Sequence, residues 1–265
     1  ADPARRFIVP SAPGKRHPED QKVTDLLYLC HPHAENGLPV SEVFQRIRDR
    51  FVELAKGLGC DGMLDSALDE TEAALAGGVS AAHAASRGEF LNGCLAAAFL
   101  EAEFVDAAEV IRFDDHGRYD SETTDRLLRE RLPSSGRVVV PGFYGARADG
   151  TIETFSRGGS DVSGAIVAHA VQAEVYENWT DVPGLLMADP SVVEDPLPIE
   201  TLTYRELREL AYMGARVLHD EAIFPVRQSG IPVNIRSTLQ PEHPGTRNVQ
   251  AEIVAPATHA ITGIA

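Results

Sequence analysis

The stretch Thr154-Phe155-Ser156-Arg157-Gly158-Gly159-Ser160-Asp161 concentrates residue types that could do chemistry. A strand-like segment runs into two glycines, and an alanine-rich helical segment follows at once. Glycines let backbone N–H groups turn outward and approach a ligand closely. Ser160 suits a helix N-cap, and Asp161 suits a first turn, where the dipole favours an acid. Such a junction is a ready anion site, although an ordinary capped strand-to-helix turn has the same glycines. Arg157 and Asp161 shift the reading toward a receptor for a zwitterionic amino acid. An Arg can clamp a carboxylate bidentately, and an Asp can accept from an ammonium group.

A second stretch runs Trp179-Thr180-Asp181-Val182-Pro183-Gly184-Leu185 and on to Met187-Ala188-Asp189-Pro190. Here a strand ends in Thr-Asp before a Pro-Gly turn. Ligands of open parallel sheets bind beyond the carboxyl ends of strands, which is where Thr180 and Asp181 would stand. Taken alone, a turn closed by an Asp side chain is the simpler reading.

The elements that must position these residues alternate between strand and helix, the signature of an α/β fold with a largely parallel sheet. Strands are predicted over residues 5–10, 104–106, 110–112, 137–141, 175–179, 231–237 and 249–254. Helices are predicted over 22–30, 40–56, 65–76, 81–100, 121–132, 162–173 and 204–218. Val43, Ile47, Phe51 and Leu54 form one helical stripe. The three valines at 138–140 suit a strand covered on both faces, whereas Pro232 suggests a strand near a sheet edge.

Composition narrows the function. Forty acidic against 24 basic residues give a formal charge of −16 over 265 residues, which argues against a nucleic-acid partner. It leaves room for a triphosphate held by local N–H groups and cations. Three dispersed cysteines, Cys30, Cys60 and Cys94, with no C-x-x-C pair, point to a reducing, cytoplasmic setting rather than a disulfide framework. No apolar run approaches the ~20 residues that cross a bilayer. Asn178-Trp179-Thr180 matches a glycosylation sequon inside an expected strand and reads as chance. His31-Pro32-His33 reads as a surface loop rather than a metal site. Asp65, Asp69, Glu70 and Glu72 read as a solvated helix face, and His219 as an imidazole near a helix end.

Taken in order, Ser11-Ala-Pro-Gly, Lys22-Val-Thr24-Asp-Leu-Leu, Ser86-Arg-Gly-Glu89-Phe-Leu-Asn, Phe155 to Asp161, Trp179-Thr-Asp-Val-Pro-Gly, Ala188-Asp-Pro190 and Tyr212-Met-Gly-Ala-Arg-Val-Leu-His219 closely resemble the aspartate kinases of the amino acid kinase superfamily. The resemblance covers nearly the whole chain. It implies a three-layer αβα sandwich around a mostly parallel sheet, and phosphorylation of the L-aspartate side chain by ATP with Mg²⁺, the first step of lysine, threonine and methionine biosynthesis.

By the same resemblance, Ser11, Thr24, Glu89, Arg157, Gly158, Gly159, Ser160 and Asp161 would form the aspartate pocket. Arg157, Asp161 and Glu89 would carry the catalytic roles. Without the resemblance, Glu89 reads as a helix-surface acid following Gly88. Nucleotide contacts would come from Thr180, Asp181, Leu186, Asp189, Ser191, Arg216 and Val217. No all-protein metal cage is expected, and a homo-oligomer is compatible with the sequence.

The sequence departs from the family at several points. Its usual opening strand ending in Lys-Phe-Gly-Gly has no counterpart before Arg5, and Lys15 is expected in an exposed turn. Leu186 and Ser191 stand where an aromatic residue and an Arg are common, and Arg216 where Lys is common. Residues 1–255 are therefore expected to form the kinase domain without its first strand, with 256–265 the start of an ACT region. Two other functions remain open on these residues: a non-catalytic amino acid or nucleotide-binding partner subunit, and a kinase for a related amino acid.

Overall fold

The apolar stripes of the N-terminal half close on one another in the computed structural model of this protein, which describes residues 2–156, 158–189, 192–213 and 224–249. The chain divides into two units, Ala1–Ser163 and Gly164–Ala265.

In the first unit a short strand, β1 (Phe7–Ile8), precedes four helices, α1 (Val23–Glu35), α2 (Ser41–Gly57), α3 (Asp65–Ala76) and α4 (Ala81–Leu100). The bounds of α3 and α4 are those expected, and α2 is displaced by a single residue. Leu27, Phe44, Ile47, Phe51, Leu68, Leu75 and Leu91 meet in one core between these helices. Each such side chain contributes roughly 1.5–3 kcal/mol by leaving water. Ser80 caps α4 by accepting from the His83 N–H at 3.1 Å.

Helix α1 runs on past Pro32, so His31 and His33 stand in its last turns and not in the expected surface loop. A proline this near the helix end removes one donor only. Its carbonyl still accepts from the Asn36 side chain at 2.7 Å, which closes the helix. His31 Nδ1 lies 3.1 Å from the Val79 carbonyl, a tie from α1 to the residue before the Ser80 cap of α4.

The unit continues with β2 (Glu103–Phe104), α5 (Ala107–Val110), α6 (Ser121–Arg131) and β3 (Val138–Val139). β3 lies between β1 and β2 and parallel to both. Its valines are fully buried, as a strand covered on both faces requires. Residues 110–112 do not form the expected strand. Asp106 accepts from the Ala108 N–H at 2.9 Å and caps a single helical turn that includes Val110. Arg112 alone makes a β-bridge, to Ala146. A hairpin that was not expected, β4 (Tyr144–Ala146) and β5 (Ile152–Thr154), turns at Asp149-Gly150, with Gly150 at φ +87°.

Helix α7 (Gly159–Ala170) starts three residues before the expected Val162, at the end of the first unit. Ser160 is therefore inside the first turn and is not the N-cap. The second unit then contains β6 (Tyr176–Thr180), β7 (Thr201–Thr203), α8 (Tyr204–Met213), α9 (Phe224–Gln228), β8 (Val233–Ser237) and β9 (Thr246–Val249), with sheet order β6-β8-β9-β7. Ala165, Leu202, Leu207, Val226, Val233 and Ile235 form its core.

β8 is interior, parallel to β6 and antiparallel to β9, so the expectation of an edge strand fails. Pro232 stands just ahead of the ladder, where its missing N–H costs nothing. Its carbonyl accepts from the Tyr176 N–H at 2.9 Å. β9 begins three residues before the expected position. Residues 250–254, and the later part of the helix expected over 204–218, including His219, lie outside the described residues. Four of the six described ladders are parallel, in line with the expected α/β class. The three cysteines are unpaired, Asn178 of the sequon is buried in β6, and no described helix is long and apolar enough to cross a membrane.

Candidate active-site cleft

Helix α4 supplies the floor of a cleft in the first unit. Glu89 and Asn92 are three residues apart and share a face of that helix. Asn92 Nδ2 donates to the Ser11 carbonyl at 2.6 Å, and Glu89 accepts from the Ala12 N–H. The preceding Gly88 permits this approach: a Cβ there would sit 2.9 Å from the Ala12 Cβ. The Ser-Ala-Pro-Gly loop is thus docked on α4 by one glycine and two polar side chains.

The cleft above this loop has a volume of ≈ 400 Å³ and is lined by residues 11–14, Lys22, Thr24, Glu89, Phe143, Ser156 and 158–161. It gathers Ser11, Thr24, Glu89, Gly158, Gly159, Ser160 and Asp161 from the expected pocket. Arg157 lies outside the described residues. Glu89 is only 6 % exposed, which corrects the reading of it as a helix-surface acid. Its Oε2 finds no hydrogen-bond partner among the described residues. Burial pushes its carboxyl up to about 7, against the opposing pull of the Ala12 N–H and the Arg87 charge.

The opposite wall is the start of α7. Gly158 adopts φ +63°, the left-handed region that glycine enters without strain. A Cβ on Gly159 would lie 2.6 Å from the Phe143 ring, so only glycine fits that contact. Ser163 Oγ accepts from the Phe143 N–H and donates to the Gly159 carbonyl, both at 3.0 Å. The first N–H groups of a helix have no intrahelical carbonyl to bond, and their dipoles favour an anion. Asp161 stands in this turn.

Phe143 is the lining residue that sequence reasoning missed. It holds φ +78°, which costs an aromatic residue about 1–3 kcal/mol. The Phe155 N–H donates to its carbonyl at 2.8 Å, and the adjacent Gly142 N–H donates to Pro10 at 3.1 Å. The available signal was the Pro141-Gly142 turn directly after the valine strand. Lys15 is in an exposed turn, as expected, with Nζ 3.1 Å from the Pro18 carbonyl.

In the second unit Thr180 ends β6 and Asp181 follows it, with the Thr180 hydroxyl 3.2 Å from Asp181 Oδ1. The Thr180 carbonyl accepts from the Thr238 N–H at 2.8 Å, which ties together the carboxyl ends of the parallel strands β6 and β8. Leu186 bridges Pro198, and Asp189 is exposed. Ser191, Arg216 and Val217 lie outside the described residues. Among the described residues, no group of three or more His, Cys, Asp or Glu side chains could hold a metal ion.

A profile of the amino acid kinase family matches residues 31–237. Aspartokinase 3 of Bacillus subtilis is 38% identical over 267 residues, covering 94% of this chain and 58% of that protein. The crystal structure of Clostridium acetobutylicum aspartate kinase, described as an allosteric enzyme, matches with TM-score 0.94 and 49% identity over 100% of this chain and 60% of that one. Aspartokinase III of E. coli in complex with aspartate and ADP matches with TM-score 0.70 and 26% identity, over 94% and 59% of the two chains. This chain thus spans less than two thirds of the length of each of these relatives. Their fold is the α/β fold expected from the sequence, and the chain belongs to the amino acid kinase family.

Proposed function

We propose that this chain carries the amino acid and nucleotide-binding residues of an enzyme that transfers the γ-phosphoryl group of ATP to the β-carboxylate of L-aspartate, giving 4-phospho-L-aspartate. The observation that carries the reading is the ≈ 400 Å³ cleft, lined both by a glycine-rich helix N-terminus and by a buried carboxyl, Glu89, whose Oε2 has no hydrogen-bond partner among the described residues. Glu89 takes the substrate ammonium, Arg157 a substrate carboxylate, and Ser11, Thr24 and the first turn of α7 fix the orientation. Asp161 orders the polar end of the substrate.

Thr180, Asp181, Leu186, Asp189, Ser191, Arg216 and Val217 hold the nucleotide. A β-carboxylate oxygen attacks the γ-phosphorus in line, an O–P bond forms, the bond to the bridging β-phosphate oxygen breaks, and ADP leaves. The protein's contribution is to place two anions together and offset their charge. Mg²⁺ is compatible with this donor set because it is held largely by phosphate oxygens and water, with one or two carboxylates. When bound it would offset charge on the β- and γ-oxygens. The reaction belongs to lysine, threonine and methionine biosynthesis, in the cytoplasm, where the three unpaired cysteines would stay reduced.

The test is ADP release with and without L-aspartate, together with hydroxylamine trapping of the acyl phosphate. Aspartate-dependent ADP release with trapped product supports the proposal, and its absence refutes it. Arg157→Ala should weaken aspartate binding and spare ATP; the reverse pattern would reassign the pocket.

A further inference from the structure

The loop between Gly14 and Lys22 has both its ends held by one side chain of another helix. Arg50 of α2 is buried, 7 % exposed, although it is a cation. Its Nη2 donates to the Gly14 carbonyl, where the loop begins. Its Nη1 lies 2.8 Å from Asp20 Oδ2, where the loop ends. Arg16, midway along the loop, adds a second grip on the same carboxylate. Its backbone N–H and its Nε each lie 3.0 Å from Asp20 Oδ2, and its Nη1 reaches Glu53 of α2 at 2.8 Å.

What flanks this loop is the cleft. Residues 12–14 on one side and Lys22 and Thr24 on the other all line it. A single planar guanidinium therefore fixes the separation of two cleft walls that are adjacent in space but joined by an irregular loop. The exposed Arg16–Glu53 pair is worth little by itself, because solvent screens it. Arg50 differs in being buried, where losing Asp20 leaves an uncompensated charge and losing the Gly14 contact leaves a polar group without its bond. A lysine cannot do the same, since a point charge lacks the two-pronged geometry.

We propose that Arg50, acting through Gly14 and Asp20, is a positioning residue that sets the width of the amino acid side of the cleft. Its loss then raises the KM for aspartate while leaving kcat and the KM for ATP nearly unchanged, because ATP is assigned to residues of the other unit. This role rests on the proposed function of the cleft.

The experiment compares the unaltered chain with Arg50→Lys, Arg50→Gln and Asp20→Asn in the aspartate-dependent ADP-release assay, each checked for folding by far-UV circular dichroism. The expected result is an aspartate KM raised on the order of tenfold in Arg50→Gln and Asp20→Asn, with an intermediate value in Arg50→Lys. The double variant Arg50→Gln/Asp20→Asn should be no worse than the poorer single one, because both remove the same link. Asp20→Asn keeps the test informative if Arg50→Gln fails to fold. An unmoved aspartate KM in folded variants, or equal changes for both substrates, overturns the positioning role alone. No aspartate dependence in the unaltered chain overturns the function of the cleft, and this role with it.

Discussion

Replacing Glu89 by Gln removes a cleft carboxyl that the fold holds well above its ordinary protonation range. In the folded chain burial pushes this carboxyl up to about 7, from 4.5 ordinarily. Between these two values the folded chain keeps a proton that the unfolded chain has lost. The contribution of Glu89 to stability therefore falls as pH rises from about 4.5 to about 7 and is flat above. At about 1.4 kcal/mol per pH unit, the ionised Glu89 costs the fold on the order of 3 kcal/mol at neutral pH. Glu89→Gln has no proton to lose, so its stability relative to the unaltered chain should rise by about that amount between acid and neutral conditions. Urea unfolding in a pH series, followed by far-UV circular dichroism, measures this. Circular dichroism is the suitable probe because the single tryptophan, Trp179, lies in the other unit. The variant should also lose aspartate affinity, since a neutral amide cannot form an ion pair with an ammonium group. Parallel stability curves for the two proteins would refute the buried placement of this carboxyl.

Gly159→Ala should destabilise the first unit by about 1–3 kcal/mol and raise the aspartate KM, because its new methyl would sit 2.6 Å from the Phe143 ring. Urea midpoints and initial rates check both effects. Gly245→Ala should destabilise the second unit by about 2 kcal/mol or more, because this position holds φ +78° and its Cβ would lie 2.0 Å from the Ile235 carbonyl. Trp179 fluorescence should then report earlier unfolding, with far-UV signal from the first unit retained to higher urea.

The sequence makes the helices plainest where one face is apolar over several turns. In α2, Val43, Ile47 and Phe51 recur at helical spacing, and all three are buried. The valine strand β3 was equally plain because nothing but burial on both faces explains three consecutive valines. Short apolar segments misled. Val110 and Ile111 suggest a strand, but the Asp106 cap had already committed the backbone to a helical turn. His31-Pro32-His33 reads as a surface loop, yet near a helix end the missing donor of Pro32 costs little and the helix runs on to Glu35. Pro232 looked like an edge marker, although it precedes the ladder by one residue.

At the cleft, glycines and charged residues announced themselves through type and spacing. Phe143 did not, because its importance lies in a backbone angle that neighbouring hydrogen bonds impose and no local pattern encodes. Glu89 was legible only through resemblance, since burial by a loop some 80 residues away leaves no mark on its own helix.

The cleft walls come from far-apart stretches of chain, Ser11 and Asp161 marking the extremes. During synthesis, at ~5–20 residues per second, roughly 8–30 s separate the emergence of the first wall from that of the last. Helices α1–α4 are close neighbours in the chain and can assemble within that interval. The nascent protein is therefore a formed helical scaffold well before it can hold a ligand, and no small molecule in the cleft can assist the early steps of its folding.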